Sequence, residues 1–248
     1  MYKFFVNTNQ IKEGKIKIIN DDVNHIKNVL RLNKEEKIEV SDSSSGESYI
    51  CKILEYENNT VVCEIIEKIE KKSESKIYLH ILQGLPKSDK MEMIIQKCTE
   101  LGVKEFTPVA LNRCIVKLNG KDEFKKIERW QKISEVAAKQ SKRNIVPKVN
   151  YIIKLNKVIE LIKEYDIMLV AYEEQKTNTI KSELQKLNKK NNLKIGILIG
   201  PEGGIEKEEI EFLKQAGAKI VTLGTRILRT ETAPIVMSSV IMYELDEM

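Results

Sequence analysis

The sequence predicts an α/β protein, with a parallel-sheet domain over residues 73–248 preceded by a small β-barrel over residues 1–72. Three observations predict it. Residues 37–40, 48–54 and 60–66 are short alternating or apolar runs, separated by polar turns at 42–46 and 57–59, which is the spacing of a small barrel. Beyond residue 77, apolar runs of strand length alternate with stretches of helical periodicity, the pattern of successive strand–helix units. Between the two regions, residues 67–76 (EKIEKKSESK) are charged and poor in apolar side chains, which places the boundary there.

The elements follow in order. Residues 25–32 place Ile26, Val29 and Leu30 on one face and predict a short helix. Residues 77–82 form the first strand of the second domain. Ser88 or Asp89 then caps a helix in which Met91, Ile94, Ile95, Cys98 and Leu101 keep helical spacing up to Gly102. That periodicity makes these core side chains and gives Met91 and Met93 no cofactor role. A helix over 123–139 buries Phe124, Ile127, Trp130, Ile133 and Ala137, so Trp130 is a core anchor rather than a platform for stacking bases. Residues 166–172 are a buried strand with Glu173 and Glu174 at its end, and residues 188–192 are a polar loop. Residues 194–199 form a strand apolar enough to be covered on both faces. The helix over 206–216 carries Glu206, Glu208 and Glu209 in its first turn and stops at Gly217. Residues 219–223 are the last strand, and Thr232 and Pro234 open a final helix that runs to 245.

Composition narrows the function. With 42% hydrophobic and 32% charged residues the chain reads as globular and ordered. Its longest apolar runs fall short of a membrane span, and its first residues lack a signal-peptide core. Cys51, Cys63, Cys98 and Cys114 are widely spaced, without a C-x-x-C pair and with only two histidines, so free thiols in a reducing cytoplasm are expected and a metal site is not. The net charge of +5 is uneven: residues 112–148 hold eleven basic and four acidic side chains. A concentrated basic segment is the electrostatic footprint of a polyanion, RNA above all, and it nominates Arg113, Lys117, Arg129, Lys142 and Arg143 as contacts. Only six of the 42 basic residues are Arg (Arg31, Arg113, Arg129, Arg143, Arg226 and Arg229), which marks positions where a planar five-donor fork is needed rather than bare charge.

The most informative stretch is IGILIGPEGG at 195–204, followed by LGTRILRTETAP at 223–234. Two strands end in glycine-bearing turns that bring bare backbone together, which suits a flat polar ligand held by its edges. A phosphate loop would avoid acid, yet the first turn contains Glu202, a Coulomb penalty of a few kcal/mol at an effective dielectric of about 20. The turn also lacks G-x-G-x-x-G spacing, so it is not a dinucleotide fold. A cationic or neutral ligand fits, and S-adenosylmethionine, with its sulfonium, is the common cofactor of that kind.

LIGPEGG together with LGTRILRTETA closely resembles the ribosomal RNA small subunit methyltransferase E family, within the knotted SPOUT methyltransferases. HIKNVLRL at 25–32, KSDKMEMIIQKCTELGV at 87–103, Asn112-Arg113, Arg129-Trp130 and AAKQSKR at 137–143 match in order along almost the whole chain. The resemblance implies a trefoil-knotted SPOUT domain behind a PUA-like barrel, a homodimer, and methylation of uracil N3 in 16S ribosomal RNA of the small subunit. Knots are otherwise essentially absent from proteins, so no periodicity predicts one. By resemblance, Leu198, Gly200, Pro201, Glu202, Gly203, Leu223, Gly224, Ile227, Leu228, Thr232 and Ala233 surround the cofactor. Arg31 becomes a surface RNA contact of the barrel, and Lys87 and Lys90 flank the strand-to-helix turn as ligand or phosphate contacts.

Methylation at N3 requires loss of the imide proton and stabilisation of the resulting anion. Arg229 or Arg226 would stabilise that anion, and Glu231 would accept the proton, orient the ribose, or simply close the turn before the last helix. Two other readings stay open: a knotted methyltransferase acting on ribose 2′-oxygen or another base, and a non-catalytic RNA-binding assembly factor.

Overall fold

The computed structural model describes residues 1–70, 73–118, 120–187 and 192–248. Residues 71 and 72, at the expected domain boundary, and most of the expected 188–192 loop lie outside the described residues. The chain divides into two compact units: Met1–Glu74 with Ala138–Val146, and Ser75–Ala137 with Pro147–Met248.

In the first unit, strands β1 (Lys3–Val6), β2 (Ile11–Lys12), β3 (Lys15–Ile19), β4 (Lys37–Asp42), β5 (Ser48–Glu57) and β6 (Thr60–Ile69) form one sheet in the order β1-β4-β5-β6-β3-β2. All ladders are antiparallel except β1–β4. Alternation explains the core: in β3 only Ile16 and Ile18 point inward, to meet Phe4, Ile38, Val40, Ile53 and Val61. The helix expected over 25–32 is broken. A short α1 (Asp21–Asn24) gives way to a π-helical turn at His25–Val29, which buries Ile26 but leaves Val29 65% exposed.

Residues 138–146 complete this unit. Lys3 Nζ donates to Asn144 Oδ1 at 2.7 Å, and Lys139 pairs with Asp22 at 2.9 Å. Arg143 is corrected from a surface RNA contact to a buried structural residue: it is 3% exposed and pairs with Glu74 at 2.6 Å. Burial alone would raise the Glu74 carboxyl, but Arg143 and the N–H groups of Ile145 and Asn144 outweigh it and hold the pKa below the usual carboxylate range.

In the second unit, β7 (Tyr78–Gly84), β8 (Glu105–Ala110), β9 (Lys148–Val149), β10 (Ile153–Lys154), β11 (Ile167–Ala171), β12 (Lys194–Ile199) and β13 (Lys219–Val221) form a wholly parallel sheet. The order β10-β8-β7-β12-β11-β13, with β9 on β8, puts β12 between β7 and β11. This central position is why residues 195–199 are all buried and apolar apart from glycine. Helices α2 (Lys90–Glu100), α3 (Gly120–Gln140) as far as Ala137, α4 (Leu155–Leu161), α5 (Ile180–Leu184), α6 (Lys207–Gln215) and α7 (Thr232–Glu244) complete the unit. Glu206 and Glu209 form a capping box that starts α6. In α3 the buried stripe is Ile127, Trp130, Ser134 and Ala137, whereas Phe124, expected inside, is 49% exposed in the first turn. Unlike the amphipathic α2, the apolar α7 packs against both α2 and α5.

Candidate active site

Four connections leave the carboxyl ends of β7, β11, β12 and β13, where ligands of open parallel sheets bind. The β12–α6 turn (residues 200–206) and the long return from β13 to α7 (residues 222–231) face each other across a cavity of about 550 Å³. Tyr172 and Glu173, beyond β11, and Lys90, in the first turn of α2, complete its wall. The two glycine-bearing turns singled out in the sequence therefore do meet.

Of the expected cofactor residues, Gly200, Pro201, Glu202, Gly203, Leu223, Gly224, Ile227, Leu228 and Ala233 line the cavity. Leu198 does not: it is fully buried in β12, in the core of the sheet. Thr232 opens α7 and is also absent from the lining. The sequence reading missed Thr225 and Thr230, which line the cavity from inside the quoted motif, Thr222 just before it, and Tyr172, which had no signal beyond its place after a buried strand.

Charge is arranged in one cluster. Glu202 accepts from the Lys87 backbone N–H at 3.0 Å and from Lys90 Nζ at 2.8 Å, and Lys90 also lies 3.3 Å from Glu231. Desolvation would raise the Glu202 pKa, but Lys90 and the backbone donors prevail and lower it. The hydrogen bond to Glu202 in turn raises Lys90, so an anion and a cation face each other here at neutral pH. Lys90 thus sits inside the cavity wall, tied to two carboxylates, rather than free on an outer RNA face. Glu231 is half-buried between Lys90 and Arg229, whose Nη1 is 4.0 Å away. Arg226 and Arg229 line the cavity with exposed side chains. Glu173 reaches the cavity, but Glu174 pairs outward with Lys207 at 3.5 Å.

The remaining nominated RNA contacts divide. Arg113 donates from Nη1 to the Gly203 carbonyl at 2.9 Å, bracing the glycine turn, and Arg129 pairs with Glu92 at 2.8 Å. Lys87 and Lys117 are exposed in the second unit, Arg31 and Lys142 in the first. The residues of the basic segment belong to two units, and within it Arg129, Lys139 and Arg143 are engaged by acids. Among the described residues, no cluster of three metal-ligating side chains occurs, and no helix is long and apolar enough to cross a membrane.

Comparison with known proteins bears on this geometry. An RNA methyltransferase domain model matches residues 73–242, and an RNA methyltransferase PUA domain model matches residues 18–66. The chain is 37% identical over 253 residues to ribosomal RNA small subunit methyltransferase E of Bacillus subtilis, covering 99% of this chain and 98% of that protein. It is 37% identical over 235 residues to the protein of the same name from Mesomycoplasma hyopneumoniae, covering 95% and 96%. A solved structure of the Neisseria gonorrhoeae enzyme of that name, bound to S-adenosylmethionine, aligns with a TM-score of 0.85 at 30% identity, covering 98% of this chain and 97% of that one.

Proposed function

Because the chain belongs to the ribosomal RNA small subunit methyltransferase E family, we propose that it transfers a methyl group from S-adenosylmethionine to N3 of a uridine in 16S ribosomal RNA. The observation that carries this reading is the cavity formed by the two glycine-bearing turns, with acid and guanidinium groups on the same rim. Its volume of about 550 Å³ suits a nucleoside-sized ligand, and its glycine and threonine lining offers backbone and hydroxyl groups to an adenine edge. When bound, S-adenosylmethionine supplies an electrophilic methyl on a cationic sulfur.

This chain's own residues do the rest. Residues 200–204 and 223–228 hold the cofactor, and the Glu202 carboxylate complements its positive charge. Arg229 and Arg226, exposed at the rim, stabilise the imide anion formed at the base. Glu231, 3.3 Å from Lys90 through one oxygen and 4.0 Å from Arg229 through the other, takes the N3 proton in this reading. The first unit, with exposed Arg31, and the exposed lysines of the second grip the RNA.

The proposal also includes a trefoil knot. After β13 at the sheet edge the chain returns to place Thr230 against Gly200 and Gln83, at the ends of β12 and β7, before α7 packs between α2 and α5. These contacts support threading of the return segment. A homodimer is supported by α7, whose Tyr243 is 71% exposed beside half-buried Val236 and Val240. The setting proposed is the cytoplasm, where the small subunit is made.

The test is methyl transfer from labelled cofactor to small ribosomal subunits and to free RNA, followed by digestion to nucleosides. Expected is 3-methyluridine as the labelled product. Label on a ribose oxygen or another base would reject the N3 assignment, and cofactor-independent RNA binding without transfer would favour an assembly factor. In the same assay, Arg229→Lys is expected to lower kcat about tenfold, because an ammonium cannot present the guanidinium fork.

A further inference from the structure

The two turns that form the cavity are tied together from beneath by a pair of uncharged side chains. Gln83, next to last in β7, is fully buried. Its Nε2 donates to Thr230 Oγ1 at 2.9 Å, to the Gly84 carbonyl at 3.0 Å and to the Gly200 carbonyl at 3.3 Å. Thr230, 7% exposed, donates its own hydroxyl to the same Gly200 carbonyl at 2.7 Å. Three passes of chain that are distant in sequence thus share one network: the end of β7, the glycine turn after β12, and the return segment before α7.

The network is built for donation. Gln83 Oε1 is buried and has no hydrogen-bond partner among the described residues, so the amide is committed through its N–H groups alone. The amide nitrogen has two hydrogens, so its contacts with three acceptors are shared, and they hold three distant passes of chain at one point. Two donors on the Gly200 carbonyl fix the peptide plane at which the cavity-lining turn begins, and Thr230 anchors the segment carrying Leu228 and Arg229.

We propose that Gln83 and Thr230 are positioning residues that fix the separation of the two cofactor-holding turns. The proposal rests on the reading of the cavity as an S-adenosylmethionine site.

The experiment measures the cofactor Kd by calorimetry, and KM and kcat by methyl transfer, for the full-length protein and its variants. Thr230→Val keeps the shape and removes the hydroxyl; it is expected to raise Kd and KM roughly tenfold, with kcat at saturating cofactor changed less than about threefold. Thr230→Ser keeps the hydroxyl and is expected to restore Kd to within about threefold of wild type. A Thr230→Val Kd equal to that of wild type, or a Thr230→Ser variant as weak as Thr230→Val, overturns the proposal. If Thr230→Val does not fold, Gln83→Met, which removes both N–H groups at similar length, carries the same expectation and the same refutation. Wild-type protein that binds no S-adenosylmethionine overturns the cavity reading itself, and the proposal with it.

Discussion

Gly84→Val is expected to abolish cofactor binding, with affinity in calorimetric titration falling at least roughly a hundredfold as overpacked backbone is forced apart. A Cβ at this position would lie 2.7 Å from both Pro201 Cδ and Pro201 N, and 3.0 Å from the Gly200 carbonyl carbon. These are backbone and ring atoms, which cannot rotate away as the tip of a long side chain would. The end of β7 and the turn after β12 must therefore separate, and that turn lines the cavity. Gly224→Val makes an informative contrast. Nothing lies within 4 Å of its Cβ, so the cost is conformational: φ is +109°, a backbone state that a β-branched residue resists. The expected loss there is about tenfold, from strain of order 1–3 kcal/mol shared between loop displacement and binding. Wild-type affinity in Gly84→Val would show that the close approach of the two strand ends does not shape the site.

Folding stability is expected to fall by about 3 kcal/mol as the pH drops from 6.5 towards 4, because of one histidine. His80, 3% exposed on β7, bonds through Nδ1 to the Tyr165 hydroxyl at 2.6 Å and through Nε2 to the Thr107 hydroxyl at 2.7 Å. Burial disfavours the imidazolium and pushes the pKa down to about 4, although Glu105, 3.4 Å away, opposes the shift and Lys194 adds to it. The unfolded chain takes up a proton near pH 6.5 that the folded protein refuses until about pH 4. The contribution of His80 is therefore constant above pH 6.5 and declines through that window. His80→Gln is expected to flatten the slope, at some cost in stability at neutral pH. Denaturant unfolding of both proteins at pH 7.5, 6.0 and 5.0 checks this, and parallel slopes would assign the pH dependence to other groups.

The strands and helices that read clearly from the sequence were those whose burial is complete or strictly periodic. The β12 strand is apolar along its length because it is central, and α6 carries its own capping box. Both glycine turns were legible because glycine and proline constrain backbone locally. What could not be read was pairing over long distances in sequence. Nothing near Gln83 announces Thr230, 147 residues away, and nothing near Arg143 announces Glu74. A tally of charge along residues 112–148 cannot see that Arg129, Lys139 and Arg143 have acidic partners within the fold. The scarcity of Arg was informative in a different sense from the one expected. Arg113, Arg129 and Arg143 all use their forks within the protein, whereas Arg226 and Arg229 remain exposed at the cavity.

The shared ownership of α3 bears on inheritance. Its last turn and the residues after it, 138–146, belong with the amino-terminal unit, while the bulk of the helix serves the parallel-sheet unit. A fragment ending at Glu74 would leave the Lys3 amine without Asn144 and the Glu74 carboxylate without Arg143. The amino-terminal portion is therefore not a detachable cassette: a genetic exchange that swapped it would also have to carry a nine-residue passenger from the middle of the gene.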